Sequence, residues 1–133
     1  MPTDQTILCI DDEALGLQIR KAVLERSGYR VLTALDGQTG ISLFLDHAID
    51  AVVLDYSMPG MDGGKVAAMM RSERPEVPIM LLSAYINLPA DVVSLADVTM
   101  LKGGEPLELI HRIGQMISSR RAGNGKGALG ESA

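Results

Sequence analysis

The sequence predicts an α/β domain built on an open, five-stranded parallel sheet with helices on both faces. Three observations carry this. The runs at 6–10, 51–54 and 78–82 are almost continuously apolar and only strand length, as expected for parallel strands covered on both sides. Segments with helical apolar spacing lie between them. Polar clusters follow the apolar runs directly: Asp11-Asp12-Glu13, then Asp55, then Ser83. In such a sheet the carboxyl ends of neighbouring strands meet at one edge, so groups distant in sequence would share one small pocket.

Strands are expected at 6–10, 30–34, 51–54, 78–82 and 98–101. The first helix, 14–27, places Leu15, Ile19, Ala22 and Val23 on one face and stops at Gly28, a residue suited to the left-handed position that ends a helix. The second, 37–48, offers Ile41, Phe44, Leu45 and Ala48; the third, 64–74, offers Val66, Met69 and Met70 and ends before Pro75. The last, 107–118, opens after Pro106 and shows Leu107, Ile110, Ile113, Met116 and Ile117 on one side. Strand and helix alternating in this way give a flavodoxin-like, doubly wound fold. From Ser119 the composition turns to Arg, Gly, Asn, Lys and Ser, which cannot bury enough apolar area to offset ordering entropy. One domain over 1–120 and a flexible Gly-rich tail over 121–133 are therefore expected.

With 133 residues, the chain suits one core, and its 47% hydrophobic and 22% charged fractions are those of a globular protein. A formal charge of -5 and only one Phe and three Tyr leave neither basic stripe nor stacking platforms, which argues against direct nucleic-acid binding. Cys9, the one cysteine, excludes an internal disulfide and a cysteine metal cluster and reads as a buried thiol. With no signal-like leader and no run near the ~18 apolar residues of a membrane span, a cytoplasmic location without membrane insertion is expected.

Converging carboxylates repel: at ~4 Å each pair costs about 4 kcal/mol at an effective dielectric near 20. Either one acid holds a proton or a divalent cation sits among them, and an oxygen-only pocket suits Mg²⁺. With a cation present, the Asp55 carboxylate is a competent nucleophile toward a phosphoryl group. Lys102, after the fifth strand, would pair with phosphoryl oxygens and the Ser83 hydroxyl would donate to one. Plainer explanations exist for each residue taken singly. Asp-Asp-Glu suits a helix N-terminus, Asp55 a turn, Ser83 a cap, and a lone Lys is usually solvated. Joint placement at four strand ends favours the pocket.

At these residues the chain resembles the receiver domain of two-component response regulators: Ile-Leu-Cys-Ile-Asp-Asp-Glu, then Val-Val-Leu-Asp-Tyr-Ser-Met-Pro-Gly-Met-Asp-Gly, then Ile-Met-Leu-Leu-Ser-Ala, then Leu-Lys, over about 6–117. The resemblance implies that Asp55 accepts a phosphoryl group from a histidine kinase or phosphotransfer protein. It implies Mg²⁺, or Mn²⁺ in its place, held directly by Asp12, Asp55 and the Ser57 carbonyl and through water by Asp11. Ser83 and Lys102 would hold the phosphoryl oxygens, Ala84 would leave the site open, and Tyr56 and Ser57 would set how fast water reaches it. Further implied partners are a downstream protein target and, as an open alternative, a second copy of the chain.

Three departures stand out. The family's aromatic residue three positions before the lysine is Thr99 here, with Tyr85 as the nearest substitute. The lysine is followed by Gly103-Gly104-Glu105-Pro106 rather than a proline, which implies a looser loop. The segment 83–102 is short and holds Pro89, so the fourth helix is expected to shrink to about 90–95 or to unwind partly.

The leading expectation is a stand-alone receiver, not a turnover enzyme, working as a phosphorylation-controlled switch through protein contacts. The alternative is a degenerate receiver that signals by contact without phosphorylation. A phosphatase with an aspartyl nucleophile is disfavoured, because the second acid expected two residues after the nucleophile is Ser57.

Overall fold

The computed structural model describes residues 4–132, with side-chain positions through residue 120. Its elements alternate as β1 (Thr6–Ile10), α1 (Ala14–Arg26), β2 (Arg30–Ala34), α2 (Gly37–Asp46), β3 (Ala51–Asp55), α3 (Gly63–Glu73), β4 (Ile79–Ser83), α4 (Ala90–Val93), β5 (Val98–Leu101) and α5 (Pro106–Ser132). The strands form one parallel sheet in the order β2-β1-β3-β4-β5. The expected doubly wound architecture is the observed one.

The two-residue period of the strands divides the core between the sheet's faces. Leu8, Ile10, Val52, Leu54, Ile79 and Leu81 point toward α2, α3 and α4, where they meet Ile41, Phe44, Val66, Met70 and Val92. Ile7, Cys9, Val53, Met80 and Leu82 point the other way, toward Leu17 and Leu24 of α1 and Leu109, Ile113, Met116 and Ile117 of α5. Cys9 is fully buried, and burial pushes its thiol up to about 12, so it is a structural group, as read from the sequence.

Helix faces differ in detail from the sequence reading. On α1 the buried stripe is Leu17 and Leu24, while Leu15 and Ile19 are exposed. Both sets satisfy helical spacing, and the approach of the sheet selects one of them. Leu45, Met69 and Leu107, each assigned inward, also face solvent. Helix α4 is a single turn of four residues after Pro89, in line with the expected shortening. Helix α5 runs as backbone helix to Ser132, through most of the stretch expected to form a flexible tail; side chains beyond residue 120, and all of Ala133, lie outside the described residues. No helix among the described residues is long and apolar enough to cross a membrane.

Candidate functional site

Register places the polar clusters at one edge. Ile10 pairs with Leu54, so Asp11 and Asp55 emerge side by side from β1 and β3; Ser83 pairs with Leu101, so Lys102 follows directly beside it. Backbone bonds extend this order past the strand ends: Asp11 N–H donates to Ala34 (3.1 Å), Tyr56 N–H to Leu82 (2.9 Å) and Lys102 N–H to Ser83 (2.8 Å). Carboxylate oxygens of Asp11, Asp12, Glu13 and Asp55 lie within 4.8 Å of one another. Asp11 and Asp55 are buried, and Asp12 and Glu13 are exposed. An all-oxygen set open to solvent on one side fits a hard divalent cation.

The plainer readings of single residues can now be weighed. Glu13 occupies the N-cap of α1 but makes no side-chain capping bond, and the first turn of the helix holds no acid, so capping does not account for the Glu13 side chain. Lys102 is not a solvated charge: its Nζ donates to Asp55 Oδ2 (3.0 Å), to Asp11 (3.2 Å) and to Glu13. The turn reading of Asp55 holds locally, since Ser57 N–H donates to Asp55 Oδ1 (3.3 Å), whereas Ser83 caps no helix and its Oγ accepts from Tyr85 N–H (2.9 Å) in the loop after β4. Neither bond removes its side chain from the edge.

Protonation follows from burial and neighbours. Burial pushes the Asp55 carboxyl up, partly opposed by the hydrogen bond from Lys102 and aided by the Asp11 charge, to about 6. Burial acts the same way on Asp11, but the Glu13 N–H (2.9 Å) and the charges of Arg20 and Lys102 outweigh it and hold that carboxyl below its ordinary value. Lys102 loses solvation, yet its bonds to Glu13, Asp55 and Asp11 dominate and raise its pKa, so it stays charged.

The sequence reading missed one member of this network. Arg20, on α1, pairs with Asp11 Oδ2 with only 13% of its side chain exposed. Its position three residues after Leu17 and four before Leu24 was the available signal, once that stripe is taken as the inward one.

The chain beyond Asp55 is held close to the sheet. Gly63 N–H donates to Tyr56 O (2.8 Å), and a Cβ at Gly63 would lie 2.6 Å from the Asp55 carbonyl oxygen and the Tyr56 Cα, so only glycine lets α3 begin there. Asp62 caps α3 through Lys65 N–H (3.0 Å) and Met58 is buried. On the other side, beyond Ser83, Thr99 leaves a cavity of about 300 Å³ bordered by Ser83, Tyr85, Val93 and Leu101; Tyr85 itself is 66% exposed.

The chain is similar to known proteins over most of its length. Residues 7–113 match the family described as "Response regulator receiver domain". The chain is 34% identical over 113 residues to the alkaline phosphatase synthesis transcriptional regulatory protein PhoP of Bacillus subtilis, covering 83% of this chain and 47% of that protein. It is 35% identical over 116 residues to the probable transcriptional regulator ycf27 of Guillardia theta, covering 85% and 45%. The chain thus spans about half the length of these curated relatives. Among solved structures it resembles the response regulator TrrA of Thermotoga maritima, a complex with Mg²⁺-BeF (TM-score 0.80, 31% identity, 84% of this chain and 98% of that one). A CheY-like receiver domain protein of Methanospirillum hungatei shares the fold (TM-score 0.84, 21% identity, 90% and 98%).

Proposed function

This chain belongs to the response regulator receiver domain family, and from that premise we propose that Asp55 is its phosphoacceptor, that Mg²⁺ assists the transfer, and that the added charge switches protein contacts made by this domain. The observation that carries the reading is the Lys102 ammonium 3.0 Å from the Asp55 carboxylate, beside an acid cluster spanning 4.8 Å. Asp12, Asp55 and the Ser57 carbonyl would hold the cation directly, with Asp11 behind them; the bound cation supplies charge neutralisation for an incoming anion. Mn²⁺ meets the same donor requirement. The Mg²⁺-BeF complex of TrrA, a relative 31% identical, supports the assignment.

Asp55 must be ionised to act. With a pKa of about 6 it is largely so near pH 7, and a neighbouring cation lowers the value further. One Asp55 oxygen then attacks phosphorus, a P–O bond forms, and the donor's phosphorus–nitrogen bond to a kinase or phosphotransfer histidine breaks. Lys102, already on Asp55, exchanges a carboxylate partner for a phosphoryl oxygen. Ser83 Oγ accepts from Tyr85 and so keeps its own proton to donate to another. The domain is a signalling switch rather than a turnover enzyme, working in the cytoplasm with a histidine kinase and a protein target.

Incubating the chain with Mg²⁺ and a small phosphodonor should add the mass of one base-labile phosphoryl group, and Asp55→Asn should abolish it. Undiminished labelling of Asp55→Asn overturns the assignment. One observation favours a contact-only module: the one-turn α4 and Thr99 remove the usual moving parts beside Ser83. Complete absence of labelling in the wild-type chain would establish that second reading.

A further inference from the structure

Arg20 belongs to neither the cation ligands nor the phosphoryl contacts assigned above, yet its guanidinium sits in the same pocket. Both oxygens of Asp11 are engaged in this arrangement. Oδ2 pairs with Arg20, while Oδ1 accepts from Glu13 N–H (2.9 Å) and Lys102 (3.2 Å). Lys102 has two further carboxylates to hold, Glu13 and Asp55, whereas Asp11 is the one carboxylate that Arg20 meets among the described residues. A guanidinium does not deprotonate, so no pH change within the working range relieves the pairing.

We propose that Arg20 is a resident counter-cation of the acidic pocket, competing with the hydrated divalent cation for Asp11 and so setting the cation concentration at which the site loads. The proposal rests on the cation-binding reading above. Two features of α1 make the exchange mechanically simple. Gly16, one turn earlier, lies under the guanidinium, where even a Cβ would stand 3.6 Å from its nitrogens, so the side chain folds back along the helix without obstruction. Arg20 also borders a cavity of about 280 Å³ between α1 and the β5–α5 loop, alongside Val23, Leu82, Met100 and Gly104. The side chain can withdraw toward this space when a cation draws Asp11 away, keeping its charged head toward solvent. In the metal-free protein the same residue relieves repulsion among four carboxylates.

Calorimetric titration of the full chain with Mg²⁺ alone, without phosphodonor, tests this. Arg20→Gln should bind Mg²⁺ about tenfold more tightly, equivalent to ~1.4 kcal/mol. Arg20→Lys, which keeps the charge but loses the planar fork, should fall between, about threefold tighter than wild type. Melting curves supply a second readout: metal-free Arg20→Gln should melt below wild type, yet gain more from saturating Mg²⁺. Affinities within twofold of wild type for both variants, with Mg²⁺ binding intact, overturn the role of Arg20 and leave the cation site standing. Failure of wild type and variants alike to bind Mg²⁺ overturns both. Should Arg20→Gln fail to fold, Arg20→Lys decides alone, and an unchanged affinity there overturns the proposal.

Discussion

The middle of the sheet and its β5 side contrast sharply. Around β1 and β3 every position of the strand is buried or nearly so, and the side chains at the tips are fixed by paired charges and backbone bonds. Around β4–α4–β5 the helix is a single turn, β5 alternates half-buried and exposed positions, and Tyr85, Ile86 and Val93 face solvent. Rigidity is concentrated where a phosphoryl group would be handled, and looseness where a change of state would be read. A lightly packed region has little native structure to lose on rearranging, so a small difference in contact energy can shift its population.

Substitutions can break or sharpen this contrast. The largest effect is expected at the rigid end: Leu54→Ala removes a fully buried side chain from a central strand and should cost about 2–5 kcal/mol in chemical denaturation. An intermediate effect concerns Asp55. Its folded pKa of about 6 exceeds the ordinary 3.8, so the carboxyl takes up a proton on folding, and stability attributable to it falls as pH rises from about 4 to 6 and then levels. Metal-free Asp55→Asn should therefore be more stable than wild type at pH 7, by on the order of 1–3 kcal/mol, with the gain vanishing near pH 4. A constant difference between the two melts across that window would show that Asp55 is not destabilised by its surroundings. The smallest effect belongs to the loose end, where Ile86→Ser, at a position 84% exposed, should change stability by less than about 0.5 kcal/mol.

The fold and most of the site were legible because both depend on short-range pattern. Continuous apolar runs mark strands covered on two faces, and a polar residue closing such a run falls at the sheet edge wherever the helices lie. That logic located Asp11, Asp12, Asp55, Ser83 and Lys102 without any knowledge of packing. It failed for Arg20, because α1 carries two apolar stripes at valid spacing and only the approach of the sheet decides between Leu15–Ile19 and Leu17–Leu24. With the outward stripe assigned inward, nothing in the pattern drew attention to Arg20. The same ambiguity misplaced Leu45, Met69 and Leu107. Backbone extent was equally hidden at α5, where composition argued for a tail and helix continues to Ser132.

Gly63 bears on how long the proposed phosphorylated state would last. Because its N–H closes onto the Tyr56 carbonyl at 2.8 Å, the residues from Ser57 to Asp62 form a loop pinned at its base, with Met58 buried in the core as an anchor along its length. Gly60, at φ +82°, turns in open space inside it. If Asp55 carries a phosphoryl group as proposed, the exposed positions Ser57 and Pro59 could change, and with them the access of hydrolytic water, while Met58 and the strand that carries Asp55 stay where they are. On that reading the domain would have a clock whose period could be reset without rebuilding the mechanism it times.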